Sequence, residues 1–271
     1  MKLYLKKMTF LCLAVSCALS AAGCSGRTTP KKLLEQASEN LENVTSSANR
    51  VELAIQLEDV LELREVNMEM EMENTTDPRA GHAAGTAKVN IRDAEVAADI
   101  EIYQVMEEGE YVTYSSMDGQ WEKEQTGDSA ENHIGVDGNV FAQEGKAMEG
   151  FRLSNEEVTV EGKNCYQMYG DVSGEDLMGI LGKSMVNAFG LVELPDEQAV
   201  RELQIPVIFD IYKEEMLPAR MIVDMSGVMN ELYESYDQTT EVNLYSIELV
   251  FTDYNQIDAI EVPQEVKDAA E

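Results

Sequence analysis

The first folded segment of the chain is predicted from apolar residues that recur every three or four positions. Pro30 suits the first position of a helix. The apolar positions after it are Leu33, Leu34, Ala37, Leu41, Val44 and Ala48. This spacing places apolar side chains on one side of a helix. We therefore expect an amphipathic helix of about four turns, whose apolar side packs against a sheet or another helix.

A strict alternation of apolar and polar residues replaces this spacing at Val51. In residues 51–58, 61–63 and 68–73 the apolar positions alternate mainly with glutamate. Such segments form strands with one apolar face and one face in water, as in antiparallel sheets that are open to solvent on one side. Further strands are predicted at residues 87–91, 96–102, 111–115, 158–160, 165–169, 205–212, 219–225 and 242–251.

Turn residues separate these strands. Residues 107–109, 117–120 and 161–164 carry the acidic-residue and glycine pattern of hairpin turns. We expect loops at residues 74–85, which contain Asp-Pro and two glycines, and at residues 126–138. Residues 227–240 are interpreted as a polar connection, and the residues after 263 as a polar end.

A second clear helix is predicted from residue 174 to residue 190. Its apolar stripe consists of Leu177, Ile180, Leu181, Met185, Ala188 and Phe189. Short helices are also predicted at residues 139–150 and 196–203. The short connections between strands require antiparallel pairing, and no linker divides the chain. Residues 31–271 are therefore predicted to form one α+β domain, with a bent antiparallel sheet whose apolar face the helices cover.

The N-terminus has the pattern of a bacterial lipoprotein signal peptide, which is predicted at residues 1–23. Three lysines precede an apolar run at residues 8–19, and small residues lead to Cys24. A run of about a dozen apolar residues is too short to span a bilayer. Ala22 and Gly23 suit cleavage before Cys24, whereas Ala21 stands where leucine is usual. The alternative is an ordinary secreted protein that is cleaved elsewhere.

Cleavage at this point defines where the protein is expected. Cys24 would carry diacylglyceryl and palmitate groups, residues 24–30 would form a tether, and the domain would face the outside of the cell membrane. Two acyl chains give stable anchoring where one does not.

The negative charge of the chain limits the classes of partner that it can bind. The formal net charge of −32 becomes −35 when the three lysines of the signal peptide are removed. Such a charge repels phosphate groups and argues against nucleic acid or an anionic lipid surface as a partner. The acids alternate with apolar residues, which indicates solvated faces of folded elements rather than a disordered tail.

The cysteines leave a single free thiol in the mature chain. Cys12 and Cys17 lie in the signal peptide and Cys24 takes the lipid, so only Cys165 remains, and no intramolecular disulfide is expected. A catalytic Cys165 would need His82 or His133 as its partner. Both histidines lie in predicted loops, and we therefore favour a buried structural thiol.

Motifs for other chemistry are absent from the sequence. It contains no glycine-rich phosphate loop, no cysteine pair with zinc spacing and no His-Glu metal motif. The acidic turns at residues 118–119 and 135–139 lack the alternating ligands of a calcium loop. We expect no catalytic residues, no cofactor and no metal.

The candidate binding residues are methionines and leucines. Met68, Met70 and Met72 share one strand face, and the flexible, polarizable methionine side chain suits a cavity for acyl chains. The alternative is ordinary core packing. Leu177, Leu181 and Met185 would line the same cavity from a lid-like helix, or belong to the core. Trp121 anchors a rim or closes a hairpin.

The order of these features resembles a family of uncharacterised Gram-positive lipoproteins, which are similar in turn to LolA/LolB-like and LppX/LprG-like lipoprotein carriers. The features are the lipoprotein signal, the amphipathic first helix, the Met/Glu strands, the Asp-Gly turn before Trp121, the strand pair around residues 214–218, and the closing segments 251–255 and 260–263. The resemblance implies an incomplete, half β-barrel with helices on its concave apolar face and a cavity between them. Members with known roles carry lipoproteins or glycolipids.

Two functions follow from these expectations. The preferred one is a membrane-anchored, non-catalytic lipoprotein that binds a lipid or another hydrophobic ligand in the half-barrel cavity. The alternative is an interaction or structural lipoprotein of the cell envelope, with a filled core and a protein partner. The two differ in whether an apolar cavity large enough for an acyl chain exists.

Overall fold

A computed structural model describes residues 28–60, 63–92, 94–127, 150–177, 201–236 and 238–270. The strands are β1 Ser46–Glu58, β2 Leu63–Thr76, β3 Arg79–Ile91, β4 Ala94–Glu107, β5 Glu110–Met117, β6 Gln120–Gly127, β7 Arg152–Leu153, β8 Val158–Val160, β9 Lys163–Ser173, β10 Gln204–Tyr212, β11 Pro218–Asp224 and β12 Glu241–Tyr254. The helices are α1 Pro30–Leu41, α2 Ser226–Ser235 and α3 Gln264–Ala269.

The strands form one open antiparallel sheet. Its order is β6-β5-β4-β3-β2-β1-β12-β11-β10-β9-β7, and β8 pairs with β9 outside this path. In the described residues no pairing joins β6 to β7, so the sheet is not closed. Among the described strands, every pairing joins strands that follow one another in the sequence, except those of β12 with β1 and of β7 with β9. The predicted antiparallel arrangement is confirmed, and the open sheet is of the β-barrel-like type.

The predicted hairpin turns are confirmed by their backbone angles. Glu108-Gly109, Asp118-Gly119 and Glu161-Gly162 each place both residues at positive φ, at 53° and 91°, 52° and 76°, and 47° and 75°. Positive φ at both central residues matches the right-handed twist of the flanking strands. The glycine in each pair takes this conformation without steric cost.

The first helix is shorter than predicted. The Thr29 hydroxyl accepts a hydrogen bond from the Lys32 amide at 3.4 Å and caps α1, and Pro30 stands in its first turn. The helix ends at Leu41, so Val44 lies beyond it and Ala48 already belongs to β1. Residues 44–48 are mostly β-branched or hydroxyl residues, which favour other conformations over helix.

The predicted loop at residues 74–85 is wrong. Only Asp77 and Pro78 form a turn there, and the chain continues as β3. The Thr75 hydroxyl donates to the Pro78 carbonyl at 2.7 Å across the turn. The alanines and glycines of β3 carry little strand propensity, but β2 and β4 pair with them on both sides and fix their conformation.

The predicted polar segments after β11 and at the C-terminus are also wrong, because each contains a helix. Helix α2 buries Met229, Leu232 and Tyr233, which recur at helical spacing. The short helix α3 buries Val266. In both segments of the sequence, the few apolar residues of the helix stand among many polar ones, so the helical spacing was not recognised.

The two faces of the sheet differ, and we call them the apolar face and the acidic face. The apolar face carries alternate residues such as Val51 and Leu53 of β1, and its buried cluster includes side chains of α1 and α2. The acidic face carries the intervening residues, such as Glu52. Smaller buried clusters lie on the acidic face at both ends of the sheet, one around Tyr114 and Val266 and one around Cys165.

Several predicted segments lie outside the described residues. These are residues 1–27, the loop and helix predicted between residues 128 and 149, and most of the predicted helices at residues 174–190 and 196–203. Residues 174–177 and 201–202 are described, and they are helical.

Candidate functional site

The predicted site residues fall into two groups. Met68, Met70, Met72 and Leu177 are buried in the cluster on the apolar face. Leu181, Met185 and Cys24 lie outside the residues that the structure describes. The structure therefore places four of the predicted ligand-binding residues together against one surface.

The three methionines form a row along β2, which we call the methionine ladder. Their partners on β1 are large, apart from an asparagine at one end: Met68 faces Leu53, Met70 faces Val51 and Met72 faces Asn49. Their partners on β3 are small: Met68 faces Ala87, Met70 faces Gly85 and Met72 faces Ala83. The side chains on the apolar face therefore extend less far from the sheet on β3 than on β1.

The Met70 side chain lies over this strip of small residues on β3. The position that a Cβ atom on Gly85 would take lies 2.8 Å from the Met70 sulfur. The Met70 side chain thus lies against the glycine backbone. Methionine has three rotatable bonds and a polarizable sulfur, so the ladder can repack against a partner of irregular shape.

One polar residue of this surface, Asn49, was not predicted from the sequence. It is fully buried on β1, opposite Met72, at a position that alternation assigns to the apolar face. Extending the alternation of Val51 and Leu53 back by one step would have found it. Because a helix was predicted through Ala48, the alternation was not extended to residue 49.

The acidic face carries carboxylates side by side. Glu52 of β1 pairs directly with Glu248 of β12 and with Glu69 of β2. Like charges in directly opposite positions destabilise a sheet. Arg50 offsets part of this charge through its contact with Glu52 at 3.2 Å. In the residues with described positions, no group of histidine, cysteine or acidic side chains is arranged to hold a metal ion.

The acidic face also holds a buried ion pair. The Arg220 guanidinium contacts the Asp210 carboxylate at 2.8 Å and Glu248 at 3.4 Å. Burial raises the pKa of Asp210, and the hydrogen bond and charge of Arg220 act in the opposite direction. The arrangement stabilises a carboxylate that is otherwise removed from water.

Cys165 is not placed for nucleophilic chemistry. Burial, followed by the charge of Asp210, raises the pKa of its thiol to about 11, so the reactive thiolate is scarce at neutral pH. His82 belongs to β3 and Cys165 to β9, with five strands between them in the sheet order. His82 stacks on Tyr103, with ring centroids 4.2 Å apart. His133 lies outside the described residues.

The comparison with protein families identifies the group to which this chain belongs. The model of DUF6612, a family of unknown function, matches residues 29–271. The chain is therefore a member of the DUF6612 family. No curated protein matches it.

Several solved structures are similar to the chain at low sequence identity. LprF from Mycobacterium bovis is 12% identical with a TM-score of 0.46, and the match covers 86% of this chain and 96% of that one. A putative outer membrane lipoprotein-sorting protein domain from Vibrio parahaemolyticus is 12% identical with a TM-score of 0.25, over 85% and 95% of the two chains. A DUF1329 family protein from Desulfovibrio piger is 9% identical with a TM-score of 0.25, over 86% and 96%.

The resemblance to LppX/LprG-like and lipoprotein-sorting proteins that the sequence indicated is found again among these structures. None of the helices described here is both long enough and apolar enough to cross a membrane.

Proposed function

We propose that this protein is an envelope lipoprotein, anchored through Cys24 to the outer side of the cell membrane, that binds a lipid or another hydrophobic molecule on the apolar face of its sheet. The observation that carries the proposal is the methionine ladder, which lies beside a strip of alanine and glycine on β3.

The small side chains of Ala83, Gly85 and Ala87 on β3 leave room above that strand, and the Met70 side chain occupies this room over Gly85. A ligand would open the room into a channel by displacing the methionine side chains. Methionine side chains adjacent to such a channel can change rotamer to admit an acyl chain at small cost, because they are unbranched.

Helices cover part of this face. Side chains of α1 and α2 pack into the same cluster as the ladder. Leu177 joins that cluster at the start of the predicted second helix. We propose that Leu181 and Met185, which the sequence places on the same apolar stripe as Leu177, line the channel with it, and that the sheet and its helices form a half-barrel around the ligand.

The expected position of the protein at the membrane also supports the proposal. The signal sequence and the small residues before Cys24 support lipid attachment at that residue. A binding site only a short tether away from the membrane is well placed to exchange hydrophobic molecules with it.

One observation favours the alternative, an interaction or structural lipoprotein with a filled core. The three methionines are only 6 to 7% exposed, which equally describes ordinary core residues. In that case the acidic face would be the functional surface, and its partner would be a protein.

Native mass spectrometry of residues 25–271 tests the proposal, because this segment contains every helix and strand that the structure describes. The proposal expects a lipid-sized adduct that co-purifies or that appears after incubation with a membrane lipid extract. A mass without adduct in both conditions would favour the alternative.

A pair of variants then locates the site. Met70→Trp should fill the channel and abolish uptake, and circular dichroism shows whether this larger side chain leaves the protein folded. Met117→Trp is the matched control, because Met117 is exposed at the end of β5 and should leave uptake unchanged. Equal uptake by both variants would contradict a channel at the ladder.

A further inference from the structure

Asn49 stands out among the buried polar residues that the structure describes. Its side chain is 0% exposed, and neither its Nδ2 nor its Oδ1 atom has a hydrogen-bond partner. Asn230 provides a contrast: its Nδ2 donates to the Val242 carbonyl at 2.8 Å and its Oδ1 accepts from the Val242 amide at 2.7 Å. Buried amides are normally satisfied in this way.

The surroundings of Asn49 offer it only apolar side chains across the sheet. On β2 it faces Met72, and on β12 it faces Phe251. The pairing with β12 is irregular between Ala48 and Asn49, which changes the stagger of the strands at this point. The side chain shares its face with Val51, two residues further along β1.

An unpartnered amide at this position is costly for folding. Valine or leucine would fill the same strand position without losing hydrogen bonds to water. Nearby polar groups at this end of the sheet are satisfied: the Ser46 hydroxyl accepts from the Ile257 amide at 3.0 Å, and the Thr75 hydroxyl donates to Pro78. Asn49 thus lacks the hydrogen bonds that Ser46 and Thr75 make at the same end of the sheet.

We infer that Asn49 is the polar anchor of the ligand on the apolar face. Its Nδ2 would donate to a carbonyl oxygen of the ligand, and its Oδ1 would accept from a neighbouring hydroxyl. An acyl ester with an adjacent hydroxyl, as in a monoacylglycerol, offers both groups. The inference rests on the proposed function and names the chemical class of its ligand.

The geometry of β2 supports this orientation. Met72 is the ladder residue opposite Asn49, and Met70 and Met68 follow it along the same strand face. Four residues of strand extend about 14 Å. An acyl chain that runs from Asn49 along the ladder therefore keeps its ester at the unpartnered amide of Asn49 and its methylenes against methionine.

Fluorescence binding assays on residues 25–271 test the inference. The apolar dye N-phenyl-1-naphthylamine reports occupancy of the channel, and 1-monolauroylglycerol and dodecane compete for it with chains of equal length. For Asn49→Leu we expect unchanged affinity for the dye and for dodecane. Affinity for monolauroylglycerol should fall roughly 10- to 100-fold, the size of a hydrogen bond lost in a dry site.

Stability of the unliganded protein is the second readout. Asn49→Leu should raise the melting temperature, because it removes the unsatisfied amide. Asn230→Leu is the matched control and should lower it, because it breaks both bonds to Val242. Asn49→Val, which suits a strand, replaces the leucine variant in all assays if that variant does not fold.

The outcomes separate the inference from the proposed function. Dye and dodecane binding together with unchanged monolauroylglycerol affinity in both Asn49 variants would overturn the role of Asn49 and leave hydrophobic binding standing. Failure of the wild-type protein to bind any of the three probes would overturn both.

Discussion

Met70 and Gly85 lie directly opposite each other on β2 and β3, and the Met70 side chain occupies the space that any side chain at Gly85 would need. A Cβ atom there would lie 2.8 Å from the Met70 sulfur and would clash with the backbone oxygen of Glu69. The strand pair can approach this closely only because residue 85 has no side chain.

Gly85→Ala is therefore expected to destabilise the protein by about 1–3 kcal/mol, since overpacking against a backbone atom forces the strands apart. Urea denaturation followed by circular dichroism measures the change. Gly227→Ala is the control, because nothing lies within 4 Å of its added Cβ and it belongs to α2. If the two variants had equal stability, the close approach of β2 and β3 would be wrong.

Arg220→Met should be strongly destabilising. The substitution leaves the buried Asp210 carboxylate without the guanidinium that contacts it at 2.8 Å, and loss of one partner from a buried pair costs about 3–5 kcal/mol. Replacing Asp210 by leucine in the same chain should recover most of this loss, because no buried charge then remains. A double variant as unstable as Arg220→Met would show that packing of the arginine, rather than charge, matters here. Chemical denaturation of the three proteins provides the comparison.

Cys165 gives the stability of the protein a defined dependence on alkaline pH. Burial, and then the charge of Asp210, raises its pKa from 9.0 to about 11. Between these values the unfolded thiol loses its proton and the folded one keeps it, so the free energy of unfolding decreases as the pH rises from 9 to 11. Cys165→Ala should flatten this part of the profile, measured as urea midpoints across the range. From pH 10 upward the profile of the variant should fall as well, because burial raises the pKa values of Tyr103 and Tyr245 from 10.0 to about 12, and the unfolded tyrosines lose their protons first.

The same burial predicts slow thiol chemistry. At pH 8 the native protein should react with a disulfide reagent far more slowly than the protein in urea. Rapid reaction of the native protein would mean that the strands around Cys165 open readily.

Cys24→Ala should release the protein from the membrane. Without the thiol no diacylglyceryl group can attach, and a tether without acyl chains has little affinity for the bilayer. Cell fractionation and immunoblotting measure the distribution. Cys17→Ala is the control, because that cysteine lies within the predicted signal peptide and takes no lipid. Retention of the Cys24 variant in the membrane fraction would contradict the predicted anchor.

The strands with strong alternation were predictable, and the weakly patterned ones were not. Residues 51–58 of β1 and 68–73 of β2 were predicted because large apolar residues stand at every second position, mostly with glutamate between them. The Asp-Gly turn before Trp121 was predicted because few other conformations suit it. Strand β3 was partly mistaken for a loop, since its small residues have little preference of their own and take their conformation from the strands on both sides.

The candidate site, like the fold, was predictable from the sequence only in part. Alternation alone put Met68, Met70 and Met72 on one apolar face, and they lie there. Their small neighbours on β3 and the unpartnered Asn49 on β1 could not be identified in advance, because both depend on which residues the register of three strands brings opposite one another.

The sequence by itself determined the elements whose local pattern is strong: the capped first helix, the alternating strands, the tight hairpins and the antiparallel order that short turns impose. The tertiary structure decided the extent of the sheet, the pairing of β12 with β1, the conformation of β3 and the helices α2 and α3. The physical reason is that local pattern fixes a segment only where its own residues favour one conformation. Elsewhere the backbone hydrogen bonds and buried surface offered by distant strands supply the larger part of the free energy.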